Sequence, residues 1–542
     1  IRRTALVRQG SNPFARSVST VARAYVEQVV AVKAIAGLAI ASLVLHATVL
    51  AVTPFGVHRD EFLYFSMGNH LRLWHMDFPP AIAMLGALSQ VLFGHTVAAA
   101  RVFPAIEGAL LIVLAALTAR ELGGGRFAQG LAGFAVLASP MFERNATLFQ
   151  PVVLDQICWT LALFAIARVA RVAADGGDTR NSWLGFGVAI GLGLLCKFSI
   201  LFLCISVLAA VLLTPMRREL LRPWPWVAVL IMLVLGSPSI AGQITLHFPV
   251  VAQMRDLNAT QLVHVTASEF IGTQLLNIGP AGILVAIVGA AVMLAWAPLR
   301  TFATVSLSCI LAFLLLLVLH GKPYYIGPIY PALFAAGGVA LERMKWSRLP
   351  HAATAARWTV VALMGAYFVV TLPVAVPILS VPASAEYAAH LAGGAALRTN
   401  RGNFDKLPQD FADMLGWRAQ AAALARGEQA RPAVEQREAW IATGNYGEAG
   451  AAEFYAREFD LPPVVTNAGS FWFFGPGIRP GKVLIALGSD PADLERGWKS
   501  VREVARLGRP WSVSEERDRP IYLATEPRMT LQQMWPSLSG HQ

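Results

Sequence analysis

The fold is decided by apolar stretches such as residues 302–320, Phe-Ala-Thr-Val-Ser-Leu-Ser-Cys-Ile-Leu-Ala-Phe-Leu-Leu-Leu-Leu-Val-Leu-His. No Asp, Glu, Lys or Arg interrupts this run. About 17–25 such residues, wound as an α-helix, span a hydrocarbon core about 30 Å thick. The run therefore predicts a membrane-spanning helix.

The rest of the chain repeats this pattern. Of its 542 residues, 56% are hydrophobic and only 14% are charged, with a mean hydropathy of +0.54. A soluble domain of this size would need more charge to cover its surface. We predict a polytopic α-helical membrane protein with about eleven transmembrane helices, at residues 34–53, 97–118, 128–142, 152–170, 184–196, 198–214, 226–246, 279–297, 302–320, 326–341 and 358–380. The fifth and sixth are short, and are either two short helices or one broken helix.

The basic residues give the predicted orientation. The net charge of +11 lies between apolar runs rather than on one patch, which argues against a nucleic-acid partner. Lys and Arg are enriched on cytoplasmic loops, and this bias predicts a cytoplasmic N-terminus and an extracytoplasmic C-terminus. We therefore expect a basic cytoplasmic segment (1–33) and a transmembrane domain (34–380), with long outer loops at 54–96 and 247–278.

Composition changes at about residue 381. The segment 381–542 is charged, with Gly and Pro turns. Helix-like stretches at 409–427 and 448–459 alternate with strand-like ones at 481–487 and 519–524, which predicts a small extracytoplasmic α/β domain. Within the first outer loop, residues 81–93 form an apolar run too short to span comfortably, and we expect an interfacial helix there.

The acidic residues at the outer face are the first candidates for chemistry. Asp60 and Glu61 follow His58 and Arg59 directly after the first span, in a chain poor in acids. A solvated loop would also explain such a pair. Asp155 lies near the outer end of the fourth span, where an ionisable group is costly and suggests a functional site. A helix cap is the alternative there.

The predicted topology places basic and aromatic residues at the same outer membrane surface as these acids. Lys197 lies between the two short spans, and Lys322 precedes Pro323, Tyr324 and Tyr325. Interfacial anchoring alone could account for each lysine and for the tyrosines. Taken together, however, the acidic, basic and aromatic residues at this surface fit a single reaction. Cations can stabilise a lipid-phosphate leaving group, a carboxylate can accept a proton from an acceptor hydroxyl, and a second carboxylate can position the acceptor.

The outer-loop motifs carry a family resemblance. Four segments together resemble the C-type (GT-C) membrane glycosyltransferases. They are the acidic start His58–Glu61, the segment Met76-Asp77-Phe78-Pro79-Pro80, the Asp155 segment and Gly321-Lys322-Pro323-Tyr324-Tyr325. The similarity is closest to the branch of protein-O-mannosyltransferases and aminoarabinose transferases. It is best over residues 34–345. In the last domain, Thr443-Gly444-Asn445-Tyr446-Gly447-Glu448-Ala449-Gly450 is similar to bacterial members of unassigned specificity.

The resemblance implies an inverting transferase that uses a polyprenyl-phosphate sugar, hexosyl or pentosyl, on the outer face of a bacterial plasma (inner) membrane. The acceptor could be a glycan, a lipid or a protein. Asp60 would be the catalytic acid of the first outer loop, with Glu61 beside it and Asp155 as the second functional acid. Binding of the lipid phosphate would fall to Lys197 and Lys322, with Arg59 a weaker candidate and Tyr324 and Tyr325 nearby. Phe78 and Leu154 replace a basic residue and a Pro that are usual in the family, so substrate specificity does not carry over.

Metal dependence stays open at this stage. The outer segments hold several oxygen and nitrogen ligands that a divalent cation could use, but their spacing matches no compact metal motif. They are His58, Asp60, Glu61, His75, Asp77 and His264. No cofactor is firmly predicted.

Two other functional classes compete with a transferase. A transporter or lipid flippase could use Asp60 and Asp155 for proton coupling, although transporters usually carry internal repeats and binding groups at the bilayer midplane. No internal repeat is visible in this sequence. A non-catalytic scaffold whose outer domain binds glycan would leave the acids unexplained.

Overall fold

The computed structural model describes residues 13–344, 350–429, 438–479 and 481–538. Helices dominate the first of these ranges, as the apolar runs predict. In chain order the helices up to residue 375 are α1 (Pro13–Val52), α2 (Arg59–Asn69), α3 (Ala81–Phe93), α4 (Val97–Glu121), α5 (Arg126–Leu137), α6 (Pro140–Thr147), α7 (Pro151–Ala174), α8 (Arg180–Cys196), α9 (Ile200–Leu213), α10 (Trp224–Thr245), α11 (Pro249–Thr260), α12 (Ala267–Ile278), α13 (Pro280–Ala295), α14 (Ala303–Val318), α15 (Tyr330–Arg343) and α16 (Pro350–Ala375).

Each predicted span corresponds to helical structure, but eleven crossings are not confirmed as a count. Seven helical segments in the described part of the chain are long and apolar enough to cross a membrane, and two bent helix pairs raise this to nine. The difference comes from short helices: α5 has 12 residues, which at 1.5 Å per residue covers about 18 Å. The two bent pairs are α9 with the 3-10 helix Pro215–Leu221, bent by 104°, and α12 with α13, bent by 107°.

The membrane helices divide into a buried centre and an outer layer. The spans Val97–Glu121, Pro151–Ala174 and Pro323–Arg343 are mostly buried inside the protein, whereas Val29–Val52 and His351–Ala375 are mostly exposed. These outer helices expose large apolar side chains such as Val44 and Leu363, as expected for surfaces that face lipid. Residues 1–12 of the predicted cytoplasmic segment lie outside the described residues, and the helix that contains the first span already begins at Pro13.

Two long segments that the sequence predicts to face outward are also helical, and they keep the names first outer loop (54–96) and second outer segment (247–278). Pro79 and Pro80 lead directly into α3, which coincides with the predicted interfacial helix. Its surface carries exposed apolar side chains at Met84, Leu88 and Val91. This pattern fits a helix at the edge of a bilayer, and its contact with lipid stays a prediction.

The last domain, named the outer domain after its predicted location, contains the predicted mixture of helices and strands. Its five-stranded sheet has the order β2-β1-β3-β5-β4, in which β1, β2 and β3 are parallel and β5 runs antiparallel to both neighbours. The strands are β1 (Ala439–Thr443), β2 (Val464–Val465), β3 (Val483–Leu487), β4 (Trp498–Gly508) and β5 (Asp518–Pro527). The helices are α17 (Val381–His390), α18 (Gln409–Ala412), α19 (Trp417–Gln429), α20 (Tyr446–Phe454), α21 (Ala456–Phe459), α22 (Phe471–Phe474), α23 (Pro491–Gly497) and α24 (Leu531–Met534).

The sequence identified β3 and β5 but not β1 or the long β4. It also joined helices that are separate. Within 409–427, α18 and α19 are separate helices. Gly416 lies between them with a φ of 85°, a backbone conformation that favours glycine and interrupts the helix. The domain boundary at residue 381 stays a prediction.

Candidate active site

The first outer loop begins with a tightly capped helix. His58 precedes α2, and its Nδ1 accepts a hydrogen bond from the Asp60 amide at 3.1 Å. In return the His58 amide donates to Glu61 Oε2 at 2.6 Å. This reciprocal pair is a capping box. It sets the direction of the first turn of α2 and so determines where Asp60 and Glu61 point.

Glu61 points into the protein. Its side chain is 0% exposed, and besides His58 it accepts hydrogen bonds from Arg101 and from the Phe149 amide, the latter at 2.7 Å. The carboxylate thereby ties the start of α2 to α4 and to the segment before α7. Since these partners occupy both of its oxygens, Glu61 is placed to hold the loop rather than to meet a substrate.

Asp60 has the opposite orientation and remains partly exposed. Its Oδ1 accepts a hydrogen bond from the Tyr446 hydroxyl at 2.9 Å, and its Oδ2 accepts one from Gln150 Nε2 at 3.3 Å. A carboxylate offers about four lone-pair positions, so these two neutral donors leave acceptor capacity on both oxygens. Asp60 is thus oriented by protein groups while still able to take a proton.

The outer domain supplies one of these donors through close helix packing. A Cβ built on Gly447 would lie 2.4 Å from Arg59 Cγ, and one on Gly450 would lie 2.7 Å from Phe62 Cβ. The absence of side chains at these positions lets α20 lie directly on α2. The motif 443–450 therefore positions Tyr446 against the first outer loop.

The second acid, Asp155, is buried near the start of α7. It accepts hydrogen bonds from Trp159 Nε1 at 3.1 Å and from Ser199 Oγ at 2.7 Å. Lys197 and Ser199 lie in the break between α8 and α9, and Lys197 interacts electrostatically with Asp155. The break in the helix therefore brings a cation and a hydroxyl to the second acid.

Aromatic rings flank Lys197. Its Nζ lies 3.9 Å from the ring centre of Tyr325 and 5.4 Å from that of Tyr324. These are cation–π contacts. They orient the ammonium group and leave its hydrogen-bonding capacity for another partner.

Lys322 and Arg144 line a cavity of about 560 Å³ between membrane helices and the outer domain. Arg144 forms an ion pair with Asp410. The Lys322 ammonium group has no ion pair or hydrogen bond within the described residues, and it interacts electrostatically with Asp60 and Asp410. Apolar side chains from α12 and α16, including Leu276 and Val374, also line the cavity. It therefore combines cationic groups with an aliphatic wall.

Arg59 is engaged by the protein. Its guanidinium lies 5.0 Å from the Tyr446 ring centre, and its Nη1 is 3.4 Å from Glu516 Oε1. These contacts connect α2 to the outer domain, which fits a structural role better than the predicted contact with phosphate.

The candidate metal ligands are dispersed. Among the residues that the structure describes, no group of three or more His, Cys, Asp or Glu side chains could hold a metal ion. His75 contacts Thr245, Asp77 accepts a hydrogen bond from Ser470, and His264 lines the cavity. His58 is used in the cap of α2.

Sequence reasoning missed Gln150, Arg144, Asp410 and the role of Tyr446. The Gly-rich motif around Tyr446 is recognisable in the sequence. Nothing in the sequence connects that motif to Asp60, which lies 386 positions away. Asp410 lies in a segment with no distinguishing pattern. Its pairing with Arg144 is visible only in three dimensions.

Comparisons with known proteins agree with this architecture. A family model described as dolichyl-phosphate-mannose-protein mannosyltransferase matches residues 77–241, under a third of the chain. That stretch includes Asp155 and Lys197 but not Asp60. No curated protein sequence matches the chain significantly.

Solved structures extend the match to nearly the whole chain. ArnT from Cupriavidus metallidurans bound to undecaprenyl phosphate is similar with a TM-score of 0.59 and 17% identity, covering 94% of this chain and 99% of that one. Its apo form gives a TM-score of 0.57 with 18% identity and the same coverage. The archaeal oligosaccharyltransferase AglB from Archaeoglobus fulgidus gives a TM-score of 0.49 with 12% identity, covering 80% of this chain and 69% of that one.

The chain therefore has the fold of the C-type (GT-C) membrane glycosyltransferases, with a small C-terminal sheet domain. The resemblance to the mannosyltransferase and aminoarabinose-transferase branch, predicted from the outer-loop motifs, is confirmed by the family match and by the likeness to ArnT. It is a multi-pass membrane protein.

Proposed function

We propose that this protein is an inverting glycosyltransferase that moves a sugar from a polyprenyl-phosphate donor to an acceptor hydroxyl on the outer face of a bacterial plasma membrane. The observation that carries the proposal is the orientation of Asp60. Its carboxylate is held by Tyr446 and Gln150 and is partly exposed, within electrostatic range of the unpaired Lys322. A base beside a cation is the pair of groups that this transfer needs.

The cavity suits an amphipathic anion. Lys322 offers positive charge, Arg144 lines the same cavity in its ion pair with Asp410, and Leu276 and Val374 offer an apolar wall for an isoprenoid chain. ArnT, which has the same fold, has been solved with undecaprenyl phosphate. These features support a polyprenyl-phosphate sugar as the donor of this chain. Lys197 does not line the cavity, but its Nζ lies 5.4 Å from the ring centre of Tyr324, which does, and we infer that it is a further phosphate ligand.

The proposed step is a single displacement. The acceptor oxygen forms a bond to the anomeric carbon, and the bond from that carbon to the phosphate oxygen breaks with its electron pair. Asp60 takes the acceptor proton, and the polyprenyl phosphate leaves with its added charge balanced by Lys322 and Lys197. Attack opposite to the leaving group inverts the anomeric centre. Asp155, held by Ser199 and close to Lys197, maintains the cationic side of the site.

Glu61 and Arg59 have positioning roles in this scheme. Glu61 fixes the first turn of α2, and Arg59 connects it to the outer domain. The proposal requires no metal. The topology that accompanies it has a cytoplasmic N-terminus and an extracytoplasmic C-terminal domain.

A transfer assay in liposomes tests the function. Purified protein would receive a panel of polyprenyl-phosphate hexoses and pentoses, with a membrane extract containing glycans, lipids and proteins as the acceptor. We expect sugar transfer and stoichiometric release of polyprenyl phosphate from one donor. Movement of the intact lipid between leaflets without cleavage of the sugar bond would instead support a flippase.

A further inference from the structure

The outer domain contacts the first outer loop along the whole length of two helices. At one end Tyr446 reaches Asp60, in the middle Gly450 lies against Phe62, and at the other end Asn69 Nδ2 donates to Glu453 Oε1 at 2.7 Å. The helices α2 and α20 therefore run side by side in the same direction. Contacts at three levels set the position of one helix along the other.

The Tyr446 side chain is held on two sides. Arg59 lies over its ring, and Arg59 is itself paired with Glu516 of the outer domain. Asn445, which caps α20, donates to the same Glu516 at 3.2 Å. The phenol thus reaches Asp60 from a rigid support rather than from a mobile loop.

The hydroxyl is the donor in this contact. Burial and the negative charge of Asp60 both raise the pKa of the Tyr446 phenol, so it stays protonated at physiological pH. A protonated phenol donates to a carboxylate, and hydrogen bonds to charged groups are stronger than neutral ones.

We propose that Tyr446 is a positioning residue for the transfer reaction, so that the outer domain completes the active site rather than merely covering it. The inference rests on the proposed function, because it assigns Asp60 as the base. The Tyr446 hydroxyl holds Asp60 Oδ1 in one orientation and stabilises its charged form. Gln150 does the same for Oδ2, and the remaining lone pairs face the acceptor hydroxyl.

The variant Tyr446→Phe removes the hydroxyl and keeps the ring on Arg59. We expect kcat to fall about ten- to a hundredfold, the range that corresponds to one hydrogen bond to a charged group, while the donor KM changes less than about twofold. The matched control is Tyr455→Phe. Tyr455 follows the other end of α20, and its hydroxyl has no hydrogen bond within the described residues.

A conservative replacement separates positioning from a general loss of structure. A 3-fluorotyrosine at position 446 keeps both the ring and the hydroxyl donor, so it should retain most of the kcat that Tyr446→Phe loses. The donor KM should change less than about twofold in both variants, since the lost interaction acts on the base and not on donor binding.

The outcomes distinguish the two proposals. If Asp60→Asn is inactive but Tyr446→Phe has an unchanged kcat, the positioning role is overturned and the proposed transferase function stands. Equal losses of kcat in the Phe and fluorotyrosine variants would also overturn it. Absence of transfer by the unmodified protein from every donor would contradict the proposed function itself and the positioning role with it.

Discussion

Ser470 in the outer domain donates a hydrogen bond of 2.7 Å to Asp77 in the first outer loop. Gln243 at the end of α10 donates to the Asp77 carbonyl at 2.7 Å. Asp77 therefore connects the loop, a membrane helix and the outer domain.

The first prediction concerns the pH dependence of this connection. Burial raises the pKa of Asp77 to about 6, and the Ser470 hydrogen bond opposes that rise only in part. A carboxyl with a raised folded-state pKa contributes stability below its unfolded value near 4, and this stability is lost as the pH rises through about 6. Asp77→Asn should remove this dependence.

The Asn variant keeps an acceptor for Ser470 without the charge. At pH 8 we expect it to stabilise the protein by up to about 2 kcal/mol, with little effect at pH 4. Thermal unfolding in detergent at both pH values measures this. Equal shifts at the two pH values would contradict the assignment.

The second prediction concerns the donor phosphate. Lys322 lines the cavity without an ion pair in the described structure, so Lys322→Gln should lower kcat/KM for the donor about 10²-fold. Lys322→Arg should recover part of this loss, because it restores charge with a different shape. The exposed Lys499→Gln serves as the control. Equal activity of Lys322→Gln and wild type would contradict the proposed role of Lys322 in binding the donor phosphate.

The third prediction concerns Asp155. In Asp155→Asn one oxygen acceptor is lost and the negative charge beside Lys197 disappears, although the side chain keeps its size. We expect kcat to fall about a hundredfold, and Ser199→Ala to cause a smaller loss of about tenfold. Steady-state rates at saturating donor measure both. A larger defect in Ser199→Ala than in Asp155→Asn would contradict this order.

The fourth prediction tests how the outer domain docks. A Cβ at position 450 would lie 2.7 Å from Phe62 Cβ and 2.8 Å from the Phe62 carbonyl carbon, so Gly450→Ala should push α20 away from α2 and cost about 1–3 kcal/mol. The control is Gly427→Ala in α19, where nothing lies within 4 Å of the added carbon. Limited proteolysis of the outer domain should accelerate only in Gly450→Ala. Similar proteolysis of both variants would argue against close packing.

Local signals in the sequence account for most of the fold. Apolar runs such as 302–320 set the membrane helices, because their length matches the bilayer. Lys197 was correctly located at a helix break, since a charged residue there interrupts two apolar runs. The number of crossings does not follow from these runs, because short helices such as α5 do not satisfy the length criterion alone.

Contacts between segments that are far apart in the chain cannot be predicted from local sequence patterns. Asp60 and Glu61 look equivalent in sequence, and only the capping box and Arg101 reveal that Glu61 turns inward. The pairing of Tyr446 with Asp60 depends on Gly447 and Gly450 packing against α2, a relation between surfaces rather than a local pattern.

The most direct test of the central claim is single-turnover transfer by wild type and Asp60→Asn, with donor binding measured in parallel. Asp256→Asn, an exposed substitution in the second outer segment, is the matched control. We predict that Asp60→Asn binds the polyprenyl-phosphate sugar with nearly unchanged affinity but transfers it at least about 10³-fold more slowly. We expect Asp256→Asn to behave as wild type. Turnover by Asp60→Asn at the wild-type rate would contradict the assignment of Asp60 as the base.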